Sequence, residues 1–148
     1  MKLQIKSIRQ SDKGILAECL TNIGILKGIW KGNEEIVIGN TYNVELDIIK
    51  YYNLKDVSNR SYNEYPEERI CVFTDNNKVT FCGIVESKDE DVYYIRYASD
   101  WIDMIEIPEN SPQIPVDHYI EFCADADNIL IYPYEIPMNL TEKTIVRA

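Results

Sequence analysis

Alternation of apolar and polar residues with a period of two is the feature that most restricts this chain. Tyr42, Val44, Leu46 and Ile48 are interleaved with Asn43, Glu45 and Asp47, the pattern of a strand that buries one face and wets the other. The same signature opens the chain at Leu3, Ile5 and Ile8, breaks at Ser11-Asp12-Lys13-Gly14 and resumes from Ile15 to Leu20. Thr21 to Gly32 is less regular, because Gly24, Gly28 and Gly32 interrupt an apolar run that holds Trp30. Glu34-Glu35 precede an expected short strand from Ile36 to Ile38, and Gly39-Asn40 read as a turn.

Further along, Cys71-Val72-Phe73-Thr74 and Val79-Thr80-Phe81-Cys82 flank Asn76-Asn77 and read as a β-hairpin. Asparagine tolerates the positive φ that a type I′ turn needs at both central positions. This register pairs Thr74 with Val79, Val72 with Phe81, and Cys71 with Cys82. Opposed strand residues lie within disulfide reach, so Cys71 and Cys82 are either a redox clasp or two reduced neighbours. Reduced neighbours suit a cytosolic sheet better. Val92 to Tyr97 is a strand with apolar residues on both faces. Trp101 to Ile107 fits a strand or a short helix capped by Asp100. Pro108, Pro112 and Pro115 mark a loop, and Tyr119 to Cys123 and Ile129 to Tyr134 are the last strands. Pro133 places the final strand at a sheet edge. Residues 137–148 form a terminal helical turn or fray.

The two halves echo each other. Ile8 lines up with Ile84, Ser11 with Ser87, Ile38 with Ile114, Val44-Glu45-Leu46 with Ile120-Glu121-Phe122, and Leu54 with Leu130. Self-similarity of this kind points to duplicated units packed together. The fold expected is mainly β with little helix, built as two similar small barrel-like or curved-sheet units. Residues 1–54 form the first, 70–148 the second, and the polar stretch 55–69 a loop or linker pinned by Tyr62 and Tyr65. One continuous two-lobed domain over 1–148 is the alternative. OB-like and SH3-like barrels are the natural templates, each with about five short strands.

Charge limits the partners. Fifteen basic against twenty-five acidic residues give a net charge of −10, which repels nucleic acid and anionic lipid and attracts cations. No apolar stretch reaches the length of a membrane span, and the Lys- and Arg-bearing start argues against a signal peptide, so a cytoplasmic location is expected. Chemistry is hard to find. His118 is the single histidine, none of the four cysteines forms a CxxC pair, and no nucleotide-binding or nucleophile-elbow motif occurs. No cofactor, metal or catalytic residue is therefore expected. Glu45 and Glu121, at matching repeat positions, are the one carboxylate pair that invites a glycosidase comparison.

One region combines acid and aromatic residues on neighbouring elements: Asp89, Glu90, Asp91, Tyr93, Tyr97, Asp100, Trp101 and Asp103. Aromatic anchors inside an acidic rim would suit docking of a basic protein, although a solvated acidic turn beside core aromatics has the same sequence. In size, acidity and lack of catalytic motifs, the whole chain resembles immunity proteins of bacterial contact-dependent and related toxin systems. That resemblance implies a non-enzymatic inhibitor that neutralises a basic toxin, such as a nuclease, by occluding its active site. The alternative is a tandem-barrel module that binds oligosaccharide or single-stranded nucleic acid through its many tyrosines.

Overall fold

The computed structural model describes residues 1–59 and 71–134. They form eleven strands in one continuous sheet, with a single 3-10 turn at Ala126–Asn128 and no α-helix. Tyr62, Tyr65, most of the expected linker and the 137–148 tail lie outside the described residues.

The first three strands are a meander: β1 (Lys2–Ser11), β2 (Gly14–Thr21) and β3 (Gly24–Trp30). Its two turns use one device. The Ser11 hydroxyl accepts the Lys13 N–H and donates to the Gly14 carbonyl at 2.7 Å. Thr21 does the same with the Ile23 N–H and the Gly24 carbonyl, also at 2.7 Å. A hydroxyl followed by glycine at positive φ closes each corner without straining a side chain. The irregular Thr21–Gly32 stretch thus holds a regular strand. Gly24 is required there, because a Cβ would fall 1.8 Å from the Val72 carbonyl oxygen. Residues Ile36 to Ile38, expected as a strand, lie in irregular chain with Ile36 buried and Ile38 exposed.

β4 (Thr41–Ile48) returns antiparallel to β1. The fifth strand of this unit is β11 (Ile129–Tyr134), taken from the far end of the described chain. It pairs antiparallel with β4 and parallel with β3, at Leu130–Ile29 and Ile131–Trp30. The cycle β1-β2-β3-β11-β4 is therefore closed, a Greek-key barrel of the OB type. The edge position expected from Pro133 is not found: β11 is flanked on both sides, and Pro133 lies past its β3 contacts.

The second unit repeats the plan. β7 (Lys78–Asp89), β8 (Val92–Ala98) and β9 (Trp101–Glu106) form the meander, and β10 (Tyr119–Asp125) returns antiparallel to β7. The ambiguous Trp101 segment is a strand. Here the strand beyond β10 is β5 (Tyr52–Asp56), from the first half. The two halves have exchanged their last strands. β6 (Cys71–Asp75) joins the units, antiparallel to β7 and bridged in parallel to β3 at Gly24–Val72. The boundary expected at residue 54 thus falls inside β5, and each unit contains strands from both halves.

Backbone bonds confirm the repeat and correct its register. Ile5 exchanges bonds with Gly39 and Asn40, and Val85 does so with Asp117 and His118. Gly39 and Asp117 both take positive φ. Ile114 therefore matches buried Ile36, not exposed Ile38, and Ile120 matches Tyr42, a slip of two residues. The turns match Ser11 with Asp89, not Ser87.

The core is one cluster with two flavours. Leu3, Ile5, Leu16, Leu26, Ile29, Val44, Ile129 and Ile131 fill the closed unit. Aromatics fill the other: Phe81 stacks on Phe122 at 5.1 Å, and Tyr97 lies 4.7 Å from Trp101. Each such fully buried side chain contributes roughly 1.5–3 kcal/mol.

Candidate functional site

The eight acid and aromatic residues singled out above separate by face and by end. Val92 to Tyr97 alternates in burial, and its inward members are Tyr93, Ile95 and Tyr97, the two tyrosines at 0% and 2% exposure. Trp101 is 4% exposed, so all three rings are core and not surface anchors. The Tyr93 hydroxyl accepts the Ile114 N–H at 2.7 Å and holds the β9–β10 loop down. Asp89, Glu90 and Asp91 form the exposed β7–β8 turn, beside the Glu106 end of β9. Asp100 lies at the opposite end, in the β8–β9 turn, separated from them by the length of β8.

Three of the eight, Asp100, Trp101 and Asp103, line a cleft along β9. Between β4 and β9 lies a cavity of about 430 Å³ lined by Met1, Val44 to Ile48, Asp100 to Met104, and Tyr134. It is continued by a space of about 730 Å³ between Asp47 to Tyr51 and Val92 with Met104 to Glu109. Glu45, Asp47 and Asp100 line the first part and Glu106 and Glu109 the second. Apolar side chains stand among them: Ile102 is 47%, Ile49 58% and Met104 65% exposed.

Asp103 is the buried acid of this wall. Its Oδ2 accepts the Trp101 indole N–H at 3.2 Å. Burial pushes its carboxyl up from 3.8 to about 7; the Trp101 bond and the α-amino group at Met1 pull it down, and Asp47 pushes it up further. Tyr97 beside it is raised well above 10.0, chiefly by burial and then by Asp103.

The other candidates are accounted for by pairing. His118 Nδ1 lies 2.7 Å from Asp56 Oδ2. Desolvation raises Asp56, but bonds from His118 and Ser58 outweigh it and hold the carboxyl below its usual value. Ser58 Oγ accepts the Tyr119 N–H at 2.7 Å, so this group ties the end of β5 to the start of β10. Glu121 is buried on β10 with Lys55 at 3.0 Å and the Cys82 thiol at 3.7 Å, whereas Glu45 lines the cleft on β4. Cys71 and Cys82 are directly opposed, as the hairpin register predicts, and no disulfide joins them. The hairpin turn differs from type I′: Asn76 alone of its two central residues takes positive φ, at 56°.

Among the described residues no cluster of three or more His, Cys, Asp or Glu could hold a metal ion, and no helix is long and apolar enough to cross a membrane. Comparison with protein-family models, curated proteins and solved structures finds no match.

Sequence reasoning missed Met1, Leu46 to Tyr51, Ile102 and Met104 as cleft residues. The alternation of Ile102 and Met104 with Trp101, Asp103 and Ile105 was visible once that segment is read as a strand. The β4 wall was not, since only the tertiary arrangement sets it beside β9.

Proposed function

We propose that this protein is a non-enzymatic binding protein for a basic protein partner, of the inhibitor or immunity kind, and that the β4–β9 cleft receives the partner. The observation that carries this reading is the cleft itself: carboxylates Glu45, Asp47, Asp100 and Glu106 surround exposed Ile102 and Met104. Scattered exposed apolar residues are ordinary, but a run of them inside a charged border is the form of a docking site. The net charge of −10 speeds encounter with a basic surface, and the cleft supplies contact once it arrives. For a toxin enzyme whose substrate is anionic, such a surface would compete for the substrate groove. A cytoplasmic site of action and a bacterial origin belong to the same proposal.

Affinity capture from lysate with the wild-type chain and with a Glu45→Gln, Asp47→Asn, Asp100→Asn variant tests it. Expected is a basic protein held by the wild type, released as salt rises, not held by the variant, and inhibited in its own activity by the wild-type chain. The same proteins retained by both chains, without inhibition, would contradict it.

One observation favours a second reading, a barrel that binds oligosaccharide. Trp30, Tyr42, Tyr132 and Tyr134 line a space of about 550 Å³ together with Glu34 and Glu35, and the buried Trp30 indole N–H has no hydrogen-bond partner among the described residues. Aromatic faces with carboxylate acceptors suit sugar hydroxyls, and the carboxylates disfavour nucleic acid. Binding to neutral glycans that ignores salt and is lost in Tyr132→Ala would favour this reading.

A further inference from the structure

Resting on the cleft reading, we infer that β9 receives its partner as an added strand. An extended segment of the basic protein, with Lys or Arg alternating with apolar residues, pairs its main chain with the outer edge of β9. Among the described residues β8 is the one strand that pairs with β9. The ladder fixes which groups are left over. Ile107 N–H donates to the Asp91 carbonyl at 2.6 Å, so the bonded pairs that follow are Tyr93–Ile105 and Ile95–Asp103. Ile102, Met104 and Glu106 then aim their backbone groups away from β8. Tyr51 Oη reaches the Glu106 carbonyl from that outer side, in agreement. The groups of Ile102 and Met104 face the cleft.

The internal repeat supplies an independent reason. β9 is the counterpart of β3, and the corresponding edge of β3 is covered by β11, with Lys31 N–H donating to the Ile131 carbonyl at 2.8 Å. The strand in the matching position of the second unit, β5, pairs among the described residues with β10 alone. The free edge of the meander is therefore covered by β11 in one unit and, among the described residues, left unpaired in the other. Edges of this kind are normally blunted by charge, short length or proline. Here the side chains flanking the edge are Ile102 and Met104, with carboxylates at Glu45, Asp47, Asp100 and Glu106 around them. Strand addition draws affinity from main-chain bonds and selectivity from alternate side chains. This border selects an occupant that presents cations and apolar groups by turns.

The test is titration of the full chain with the synthetic peptide acetyl-Lys-Val-Lys-Ile-Lys-Val-amide. Comparison peptides carry backbone N-methyl groups at alternate residues, or Glu in place of Lys. Binding is read by amide chemical shifts and hydrogen exchange of residues 101–106. Expected is saturable binding of the parent peptide, new protection at Ile102 and Met104, and no binding of the Glu peptide. Removing one or two main-chain bonds by N-methylation should weaken binding about tenfold. Met104→Pro removes one outward N–H, leaves the β8 bonds on the odd-numbered residues, and should weaken binding to a similar degree. If Met104→Pro perturbs the fold, the N-methylated peptide decides.

Equal binding of the parent and N-methylated peptides would overturn strand addition while leaving the acidic-cleft reading intact. Absence of binding, or protection that maps away from β9, would overturn it as well. So would amides of Ile102 and Met104 that are already protected in the free chain, because its own residues would then cover the edge.

Discussion

Burial on the inner face of β9 raises the Asp103 carboxyl from 3.8 to about 7, and this makes stability depend on pH in a defined direction. Between those values the folded chain keeps a proton that the unfolded chain gives up. The contribution is complete below the lower value, falls as pH rises through the window, and is lost above about 7. A shift of this size corresponds to about 4 kcal/mol. Asp103→Asn keeps an acceptor for the Trp101 indole and removes the titration. Urea unfolding from about pH 4 to about pH 8 should show wild type losing stability and the variant nearly flat by comparison; equal slopes would contradict the assignment. Glu90 sits at φ 49° in the β7–β8 turn. Glu90→Gly should therefore stabilise the fold by up to about 1 kcal/mol, seen as a higher unfolding midpoint. At this scale the sequence named the right neighbourhood but not the orientation. Val92 to Tyr97 is apolar on both faces, so period two alone does not decide whether Tyr93 and Tyr97 point in or out. Packing against Phe81, itself 5.8 Å from the Tyr97 ring, decides it.

Strands legible from alternation were those with one buried and one wet face, such as β1 and β4, while β9 also fitted a short helix. β3 was obscured because its glycines read as breaks, whereas Gly24 and Gly28 are places where another backbone comes close. Gly24→Ala should cost about 2–4 kcal/mol, because its methyl would meet the Val72 carbonyl at the junction of the two units. Thermal or urea unfolding measures this directly, and a neutral outcome would mean that the β3–β6 bridge does not hold the units together. β5 carried almost no signal. Of Tyr52-Asn53-Leu54-Lys55-Asp56 only Leu54 is even half-buried, so pairing with β10 makes it a strand. Lys55–Glu121 and Asp56–His118 secure that pairing. Because the second pair is largely exposed, His118→Ala should cost less than about 1 kcal/mol, with its effect concentrated in hydrogen exchange of β5.

Exchange of the last strands governs the molecule as a whole. The closed barrel needs β11 from the second half, and β10 is flanked by β5 from the first. Neither half can lose its structure without removing a strand from the other, so unfolding should be a single cooperative event. Native-state hydrogen exchange should give β2 and β8 the same global opening free energy; two well-separated values would indicate independent lobes. The repeat was faintly visible in the sequence, displaced by a few residues. The exchange was not, because strand partners at this separation are chosen by the packed whole and leave no local pattern. The same holds for the cleft: its β9 side and bordering turns lay within the acid and aromatic region, while its β4 side is brought there by the fold. Its proposed role is tested most directly by a hydrogen-exchange footprint of the chain bound to a captured basic partner. Protection confined to β9 and residues 44–51 is expected. Protection on the opposite surfaces of β2 and β3, with β9 unchanged, would contradict the cleft as the docking site.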